Sequence, residues 1–308
     1  MTQQVIAFLG TGLMGQPMAC RLLQASYPVR VWNRSIAKTA RCAELGADVA
    51  TTPEAAVAGA DIVITMLADG AAVQAVLSAA LPCLQAGALV IDMSSTRQSE
   101  AVELETMLAA RRCEFMDAPV SGGVAGAESG TLAIMAGASP ENFARAQALL
   151  AVLGRPTLVG APGTGQLAKL CNQLIVGGTI NLVAEALLLA QAGGADPAAV
   201  RLALRGGFAD SKILELHGQR MLERNFMPGG QVKTQCKDME NILTAALVAG
   251  LHLPLTDQVA AIFQRLQLTD PQADHSAALL DLERHNVGYR LGDSRDIKPH
   301  ATNNFYRD

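Results

Sequence analysis

The sequence predicts an α/β domain with a mainly parallel sheet, followed by an all-α domain, and three observations carry this prediction. The chain has 308 residues, whereas a single hydrophobic core usually stops growing at about 250 to 300 residues. Apolar runs of strand length alternate with helical segments through about residue 160. Beyond that point every segment with clear periodicity is helical. We therefore expect two domains of different class.

Six apolar runs in the first half have the length of strands. They are continuous rather than alternating, which is typical of strands covered by helices on both faces of a parallel sheet. The runs are Val5–Leu9, Val29–Trp32, Asp61–Leu67, Ala88–Met93, Glu114–Ala118 and Leu132–Ala136. Helical segments between them predict a doubly wound arrangement.

The second half begins with a helical stretch of about 28 residues, Gln166–Gly193, far longer than a strand. Four further helices are expected, at Pro197–Arg205, Ser211–Glu223, Val232–Leu251 and Thr256–Leu268. We place the domains at 1–162 and 163–290, with a polar C-terminal tail or lid at 291–308. The first helix is so apolar that we expect it between domains or against another subunit, which predicts a homodimer or homotetramer.

Composition narrows the function to that of a soluble, cytoplasmic, metabolite-binding protein. A net charge of −4 gives no reason to expect nucleic acid as a partner, since phosphate backbones require clustered Lys and Arg. The N-terminus lacks the pattern of a signal peptide. No apolar run reaches the roughly 20 residues that span a bilayer, and the longest, Leu182–Ala192, contains Glu185. No membrane partner is expected.

The cysteines and histidines indicate neither disulfides nor a metal site. The six cysteines are dispersed, without a CxxC pair, and we expect them to be reduced core thiols. They are Cys20, Cys42, Cys83, Cys113, Cys171 and Cys236. The five histidines all lie in the last third of the chain and lack ligand spacing.

A G-x-G-x-x-G turn follows the first predicted strand and opens a helix. It consists of Gly10, Thr11, Gly12, Leu13, Met14 and Gly15. The pattern alone is weak, but between a strand and a helix its glycines permit a tight turn and the close approach of a pyrophosphate. The turn therefore predicts a dinucleotide site.

The residue that ends the second strand bears on which dinucleotide is bound. NAD sites usually carry an acid here, about 20 residues after the turn, to bind the ribose hydroxyls. This chain has Asn33, followed by Arg34, Ser35 and Lys38. A guanidinium with neutral and cationic neighbours suits a 2′-phosphate, so NADP is favoured. NAD remains open if Arg34 and Lys38 are only solvated surface charges.

Two further groups of residues suggest a substrate site. Asp117–Gly123, with the sequence DAPVSGG, lies at a strand end, where open α/β sheets bind ligands. Ser121 and the amides of the two glycines could hold a carboxylate, although the segment alone could be only a turn. Lys169 and Asn172 lie three residues apart on the apolar helix, hence on one face. The lysine either snorkels to solvent or has a chemical task.

Four ordered motifs together resemble the β-hydroxyacid dehydrogenase family, which includes 3-hydroxyisobutyrate dehydrogenase. They are Phe8–Met18, Asp117–Gly123, Gly163–Asn172 and Lys237-Asp238. Two later segments, Leu253–Thr256 and Asp274–Ala277, are similar to the tartronate semialdehyde reductase (2-hydroxy-3-oxopropionate reductase) branch. The resemblance covers nearly the whole chain.

The resemblance implies an N-terminal Rossmann domain, a helical C-terminal domain and an active site in the cleft between them. Lys169 would be the catalytic acid/base, Asn172 would contact the substrate, and Ser121, Gly122 and Gly123 would hold its carboxylate. Met66, Leu67 and Thr96 would line the cofactor. Lys237 would approach the nicotinamide, and Asp238 would orient a lysine.

The resulting hypothesis is NADP-dependent interconversion of a short 3-oxo acid, such as tartronate semialdehyde, and a β-hydroxy acid bearing a carboxylate. Alternatives are 3-hydroxyisobutyrate or another β-hydroxyacid, and succinic semialdehyde or glyoxylate reduction. A methyl or hydroxyl group changes selectivity by only about 1–3 kcal/mol when no polar partner is lost, so the sequence does not rank these substrates. A non-catalytic NADP-binding module is a fourth possibility, because fold alone permits it.

Overall fold

The computed structural model describes residues 4–299, and the chain divides into two compact units, 1–169 and 170–308. The first contains the sheet and the second is helical. The long helix Thr164–Ala192 begins in the first unit and has most of its length in the second. The boundary at 162/163 stays a prediction, and the part of the proposed tail beyond residue 299 lies outside the described residues.

The first unit has nine strands within the described residues, joined in one sheet. They are β1 (Ile6–Leu9), β2 (Val29–Trp32), β3 (Asp48–Val49), β4 (Ile62–Thr65), β5 (Leu89–Asp92), β6 (Glu114–Asp117), β7 (Val120–Ser121), β8 (Leu132–Gly137) and β9 (Gly154–Gly160). The six predicted strands are all present, with ends shifted by up to two residues. Strands β3, β7 and β9 had not been predicted.

Strands β1 to β6 are parallel, in the order β3-β2-β1-β4-β5-β6. Strand β1 pairs with β2 on one side and β4 on the other, so the order reverses there. In such sheets ligands bind beyond the carboxyl ends of the strands at this switch point. Strand β8 runs antiparallel to β6 and β7 and pairs in parallel with β9.

Helices cover both faces of this sheet. Those of the first unit are α1 (Gly15–Gln24), α2 (Ala40–Glu44), α3 (Pro53–Val57), α4 (Gly70–Ala80), α5 (Gln98–Ala109), α6 (Gly123–Ser129) and α7 (Pro140–Leu153). One core lies between α1, α2, α6, α7 and one sheet face, and another between α3, α4, α5 and the opposite face. Phe8 enters the first core and Leu9 the second, as period-two side chains must. The doubly wound α/β fold is confirmed.

The second unit is built from helices around one core. They are α8 (Thr164–Ala192, shared with the first unit), α9 (Pro197–Leu204), α10 (Lys212–Glu223), α11 (Val232–Val248), α12 (Pro254–Thr269) and α13 (Ala278–His285). Phe226 and Phe263 are fully buried in that core. The helical class is as predicted, and α13 is an addition.

The segment after α13 is fastened to this unit as far as residue 299. The amide of Phe226 donates to the carbonyl of Ile297 at 2.8 Å, and the amide of Ile297 donates to the carbonyl of Arg224 at 2.9 Å. Leu291 is buried in the helical core. The predicted polar tail therefore begins as a packed segment.

Helix α8 differs from its sequence-based description. Among the described residues, α8 is the one helix that is long enough and apolar enough to cross a membrane, judged by length and composition alone. The sequence analysis had found no segment of that kind. The core helix of a soluble protein passes the same test, and Ile180, Ala184 and Leu187 lie in the core of the second unit.

The prediction that all six cysteines are core thiols is wrong for two of them. All six are free, but Cys83 and Cys171 are exposed. Cys83 ends a short 3-10 turn after α4, and Cys171 lies on α8 away from its buried face. Both positions follow from local geometry that composition does not reveal.

Candidate active site

A cavity of about 540 Å³ lies at the carboxyl ends of β1, β2 and β4. It contains most of the predicted cofactor residues of the first unit: Gly10, Gly12, Leu13, Met14, Gly15, Asn33, Arg34, Ser35, Lys38, Met66 and Leu67. Thr11 and Thr96 are not in its lining, and Lys237 belongs to the second unit. The sequence motifs thus converge on one concave surface.

The three glycines of the turn have distinct physical reasons to be glycine. Gly10 has φ +106°, and a Cβ there would collide with the carbonyl of Met66. At Gly15 a Cβ would meet the carbonyl of Gly10, because α1 packs closely on the turn. At Gly12 a Cβ would meet nothing within 4 Å, so the backbone is open to a ligand. That opening faces the N-terminus of α1, whose free amides favour a phosphate.

Asn33 holds the glycine turn against the loop that follows β2. Its Oδ1 accepts from the amide of Thr11 at 3.1 Å, and its Nδ2 donates to the carbonyl of Ser35 at 3.0 Å. An aspartate at this position could make the first bond but not the second, because a carboxylate has no donor. Asn33 therefore shapes the loop that carries the adjacent Arg34.

The charges of this surface, and a buried hydroxyl in the adjoining glycine turn, fit the phosphates of a dinucleotide. Arg34 and Lys38 are exposed cations in the lining, and no carboxylate is among the lining residues that the structure describes. The hydroxyl of Thr11 is buried and lacks a hydrogen-bond partner among the described residues. A buried polar atom without a partner is costly, so its position in the turn indicates a ligand.

The loop after β5 contains Thr96, another predicted cofactor residue. Thr96 is buried, and its Oγ1 also lacks a partner among the described residues. The loop is joined to the cavity through Ser94, whose Oγ accepts from the amide of Leu67 at 2.9 Å. Thr96 thus presents a second unsatisfied hydroxyl at the same edge of the sheet.

The predicted carboxylate cradle and the predicted acid/base lysine lie close together. Gly122 and Gly123 are exposed, with φ of +139° and +63°, and Ser121 is half-buried at the end of β7. Lys169, on the second turn of α8, donates from Nζ to the carbonyl of Val120 at 3.0 Å. The ammonium group is therefore held beside the residue that precedes Ser121.

Two buried carboxyl groups end the neighbouring strands β5 and β6. Burial raises the pKa of Asp92 to about 6 and that of Asp117 to about 6. Asp117 accepts from the amides of Gly163 and Gln166, both at 2.7 Å, and so caps the start of α8. One oxygen of Asp92 accepts from Thr65 and Ser94, while the other is buried without a partner among the described residues.

The remaining predicted residues lie in the second unit. Asn172 is half-buried on α8 and donates from Nδ2 to Gln173 at 2.8 Å. Gln173 in turn donates from Nε2 to Asp238 at 2.6 Å. Asp238 is buried on α11 beside the exposed Lys237. Asn172 and Asp238 are thus connected through Gln173, which the sequence analysis had not singled out.

Comparison with known proteins places this site in a family. Residues 5–171 match the family model for the NAD-binding domain of 6-phosphogluconate dehydrogenase. Residues 163–282 match the model for the NAD-binding domain of NADP-dependent 3-hydroxyisobutyrate dehydrogenase. The chain belongs to the β-hydroxyacid dehydrogenase family. It is accordingly an NAD(P)-dependent oxidoreductase with a nicotinamide cofactor.

Individual members of the family resemble the chain over most of its length. The 2-hydroxy-3-oxopropionate reductase of Escherichia coli (strain K12) is 39% identical over 90% of this chain and 97% of its own. A solved structure of Mycobacterium tuberculosis 3-hydroxyisobutyrate dehydrogenase with L-serine has a TM-score of 0.83 and 29% identity, covering 91% and 99%. The structure of Psf3 with NADP+ and 2-OPP has a TM-score of 0.80 and 26% identity, covering 90% and 99%.

Several residues of this dehydrogenase site escaped the sequence analysis. Trp32, Ala68, Ala72, Ala75 and Val76 also line the cavity. Trp32 ends β2 directly before Asn33 and could have been included, whereas the α4 residues have ordinary core composition and carry no signal. Gln166 lies inside a quoted motif, but its partners are 49 to 72 residues away in sequence, so no spacing rule reveals them.

Proposed function

We propose that this β-hydroxyacid dehydrogenase uses NADPH to reduce a short 3-oxo acid, such as tartronate semialdehyde, with Lys169 as the acid/base. The observation that carries the proposal is the 3.0 Å contact between Lys169 Nζ and the carbonyl of Val120. It holds a proton donor next to Ser121, Gly122 and Gly123, the accessible groups suited to a carboxylate. A semialdehyde acid needs both features at once.

The chemistry assigned to the chain's own residues is proton transfer and alignment. A reduced nicotinamide cofactor, when bound, would supply a hydride to the aldehyde carbon. Lys169 stabilises the negative charge that develops on the aldehyde oxygen and transfers a proton to it. The neutral amine then regains a proton from solvent, so one hydride and one proton are added per turnover. Ser121 and the amides of Gly122 and Gly123 hold the carboxylate of the substrate. Asn172 contacts the substrate, and Lys237 approaches the nicotinamide.

The preference for NADP is supported by the loop after β2. Arg34 and Lys38 offer charge to a 2′-phosphate, and Asn33 replaces the acid that would repel it. The related Psf3 structure contains NADP+. The test is a comparison of kcat/KM for NADPH and NADH with the same substrate, and a preference for NADH would contradict this part of the proposal.

The substrate assignment rests on the 39% identity to a 2-hydroxy-3-oxopropionate reductase. A second candidate is 3-hydroxyisobutyrate oxidation, favoured by the likeness to the Mycobacterium tuberculosis dehydrogenase. Succinic semialdehyde and glyoxylate remain further candidates from the Asn-Arg-Ser sequence after β2. Steady-state assays of these compounds with NADPH or NADP+ distinguish them, and tartronate semialdehyde should give the highest kcat/KM.

The partners of the enzyme are also part of the proposal. We place it in the cytoplasm, with a small carboxylate-bearing substrate, no nucleic acid and no membrane as partners. A homodimer or homotetramer would form through the helical unit, because α8 exposes Ile175, Leu182 and Leu189.

Lys169→Ala is the decisive variant for the mechanism. We expect kcat to fall by at least about 10²-fold, the lower part of the range for a lost acid/base, with little change in NADPH affinity. The protein's single tryptophan, Trp32, lines the cavity, so its fluorescence provides a binding signal that does not depend on turnover. A kcat within a few-fold of the unmodified enzyme would contradict the role of Lys169.

A further inference from the structure

We propose that Gln166 is a positioning residue that fixes the loop carrying Thr96 to the helix carrying Lys169. The inference rests on the proposed function, because it assigns Thr96 to the cofactor and Lys169 to proton transfer. Gln166 itself is fully buried and lies three residues before Lys169 on α8. We assign it no direct contact with cofactor or substrate.

The side-chain amide of Gln166 pairs with the backbone of the loop after β5. Its Nε2 donates to the carbonyl of Ser94 at 2.8 Å, and its Oε1 accepts from the amide of Thr96 at 3.1 Å. The NH2 group and the oxygen of the carboxamide therefore both form hydrogen bonds, to two residues, Ser94 and Thr96, that lie two positions apart in the sequence. A carboxamide offers an NH2 donor and a carbonyl acceptor in one plane, and that of asparagine is carried on a side chain one methylene shorter.

The backbone of Gln166 is held equally firmly. Its amide donates to Asp117 at 2.7 Å, and the same carboxylate accepts from Gly163 at 2.7 Å. A Cβ on the intervening Gly165 would meet the carbonyls of Met135 and Asp117. The first turn of α8 thus lies directly against β6 and β8, with no room for a side chain between them at Gly165.

The other end of the linkage is also rigid. Ser94 is fully buried, its amide donates to Asp92 at 3.1 Å, and its Oγ accepts from Leu67 at 2.9 Å. Leu67 lines the cofactor cavity. A continuous series of hydrogen bonds therefore joins the cavity, Ser94 and Gln166, from which α8 runs one turn to Lys169.

This series has a direct consequence for catalysis. Hydride and proton must reach adjacent atoms of one carbonyl group, so the groups that hold the cofactor and the proton donor need a fixed separation. A displacement of about 1 Å can cost about 10²-fold in rate. Loss of the Gln166 carboxamide frees both the Thr96 amide and the Ser94 carbonyl, and the loop can then shift relative to α8.

Gln166→Met tests the inference, since methionine has similar length but forms neither hydrogen bond. We expect kcat, normalised to cofactor sites titrated through Trp32 fluorescence, to fall by about 10- to 100-fold. The primary isotope effect with NADPH deuterated at the transferred position should increase, because the hydride step becomes slower. NADPH should bind about 3- to 10-fold more weakly, as expected for the loss of about one hydrogen bond.

Two further variants keep the test decisive. Gln166→Asn keeps the carboxamide but is one methylene shorter, so it should not reach both Ser94 and Thr96 and should also lower kcat, and it serves if Gln166→Met does not fold. Gln85→Met is the control at a distance from the site, because the exposed Gln85 also bonds a backbone carbonyl, that of Ala60 at 3.0 Å, before the amino end of β4. It should leave kcat, the isotope effect and NADPH affinity unchanged.

The possible failures can be told apart. If Gln166→Met lowers only the melting temperature, with kcat per site and NADPH affinity within two-fold of the unmodified enzyme, the positioning role is overturned. If the unmodified enzyme reduces none of the short oxo acids, the proposed function fails. The NADPH titration then decides the inference by itself, since unchanged affinity in Gln166→Met would overturn it.

Discussion

Asp92 and Asp117 are neighbouring buried carboxyl groups that differ in how many of their oxygens accept a hydrogen bond. Asp117 uses both oxygens to accept backbone amides from the start of α8. Asp92 uses one oxygen, and the other has no partner among the described residues. Burial raises the pKa of each to about 6 from 3.8. Burial therefore favours the protonated form of each, but at Asp117 the backbone amides on both oxygens favour the charged form and oppose this effect.

The raised pKa of Asp92 makes its contribution to stability depend on pH. When the pKa of an acid is higher in the folded than in the unfolded state, ionisation lowers the free energy of unfolding. For Asp92 this cost is small below about pH 3.8, grows between about pH 3.8 and pH 6, and is constant at higher pH. A shift of this size corresponds to about 3 kcal/mol. Asp92→Asn keeps an acceptor for Thr65 and Ser94 but carries no charge. We expect it to raise the melting temperature at pH 8 by more than at pH 4.5.

Asp117→Asn is the contrasting variant in the same scan of melting temperature against pH. Its amide would place a donor against the N–H of Gly163 or Gln166, so we expect lower stability at both pH values. If Asp92→Asn were no more stable than the unmodified protein at pH 8, the buried carboxylate would not carry the cost assigned to it.

At the scale of elements, Arg224 organises the segment that follows α13. Its side chain is 1% exposed and pairs with both oxygens of Glu283 at 2.7 and 2.9 Å. Its Nε donates to Asp296 at 2.6 Å, and Nη1 donates to the carbonyl of Leu291 at 2.8 Å. One guanidinium thus joins α13 to the chain beyond it, a geometry that suits arginine and not lysine.

Arg224→Met should destabilise the helical unit, because it leaves Glu283 buried without its partner. Breaking a buried ion pair typically costs about 3–5 kcal/mol, measurable by urea unfolding. Limited proteolysis should also begin within 286–299, a segment that we expect to resist cleavage in the unmodified protein because Arg224 holds it. Arg41→Met is the control, since the Arg41–Glu44 pair is exposed and exposed ion pairs contribute little to stability. Equal effects of the two substitutions would contradict the anchoring role.

The same elements show which parts of the fold the sequence predicts. The β1, β4 and β5 runs are continuously apolar because they are buried on both faces, so their positions follow from composition. Strand β3 has two residues, and β9 contains Gly and Pro with alternating exposure, so neither has a strand-like composition. Arg224 and Gln166 act on residues 49 to 72 positions away, and such contacts exist only once the chain has folded.

At the scale of the whole molecule, the exposed face of α8 leads us to predict association with a second copy of the chain. Ile175, Leu182 and Leu189 recur every seven residues and are 64%, 65% and 74% exposed. Cys171 lies four residues before Ile175 and Gly178 lies three residues after it, and a Cβ on Gly178 would meet nothing within 4 Å. Exposed Glu185 occupies the next position of this spacing, so the seam is mainly but not wholly apolar. A seam of this period, with small residues that permit close approach, is typical of a helix that packs on another helix.

Leu182→Arg should disrupt this association, because it places a charge at the centre of the seam opposite its own copy in a symmetric pair. Light scattering after size exclusion should show the mass falling from an integer multiple of 32.1 kDa toward one chain. Leu268→Arg is the matched control, since Leu268 is as exposed but lies on α12. If the unmodified protein is a monomer, the proposed interface does not exist. If only Leu268→Arg dissociates the protein, the interface lies elsewhere. An unchanged mass in Leu182→Arg would show that α8 does not form the contact.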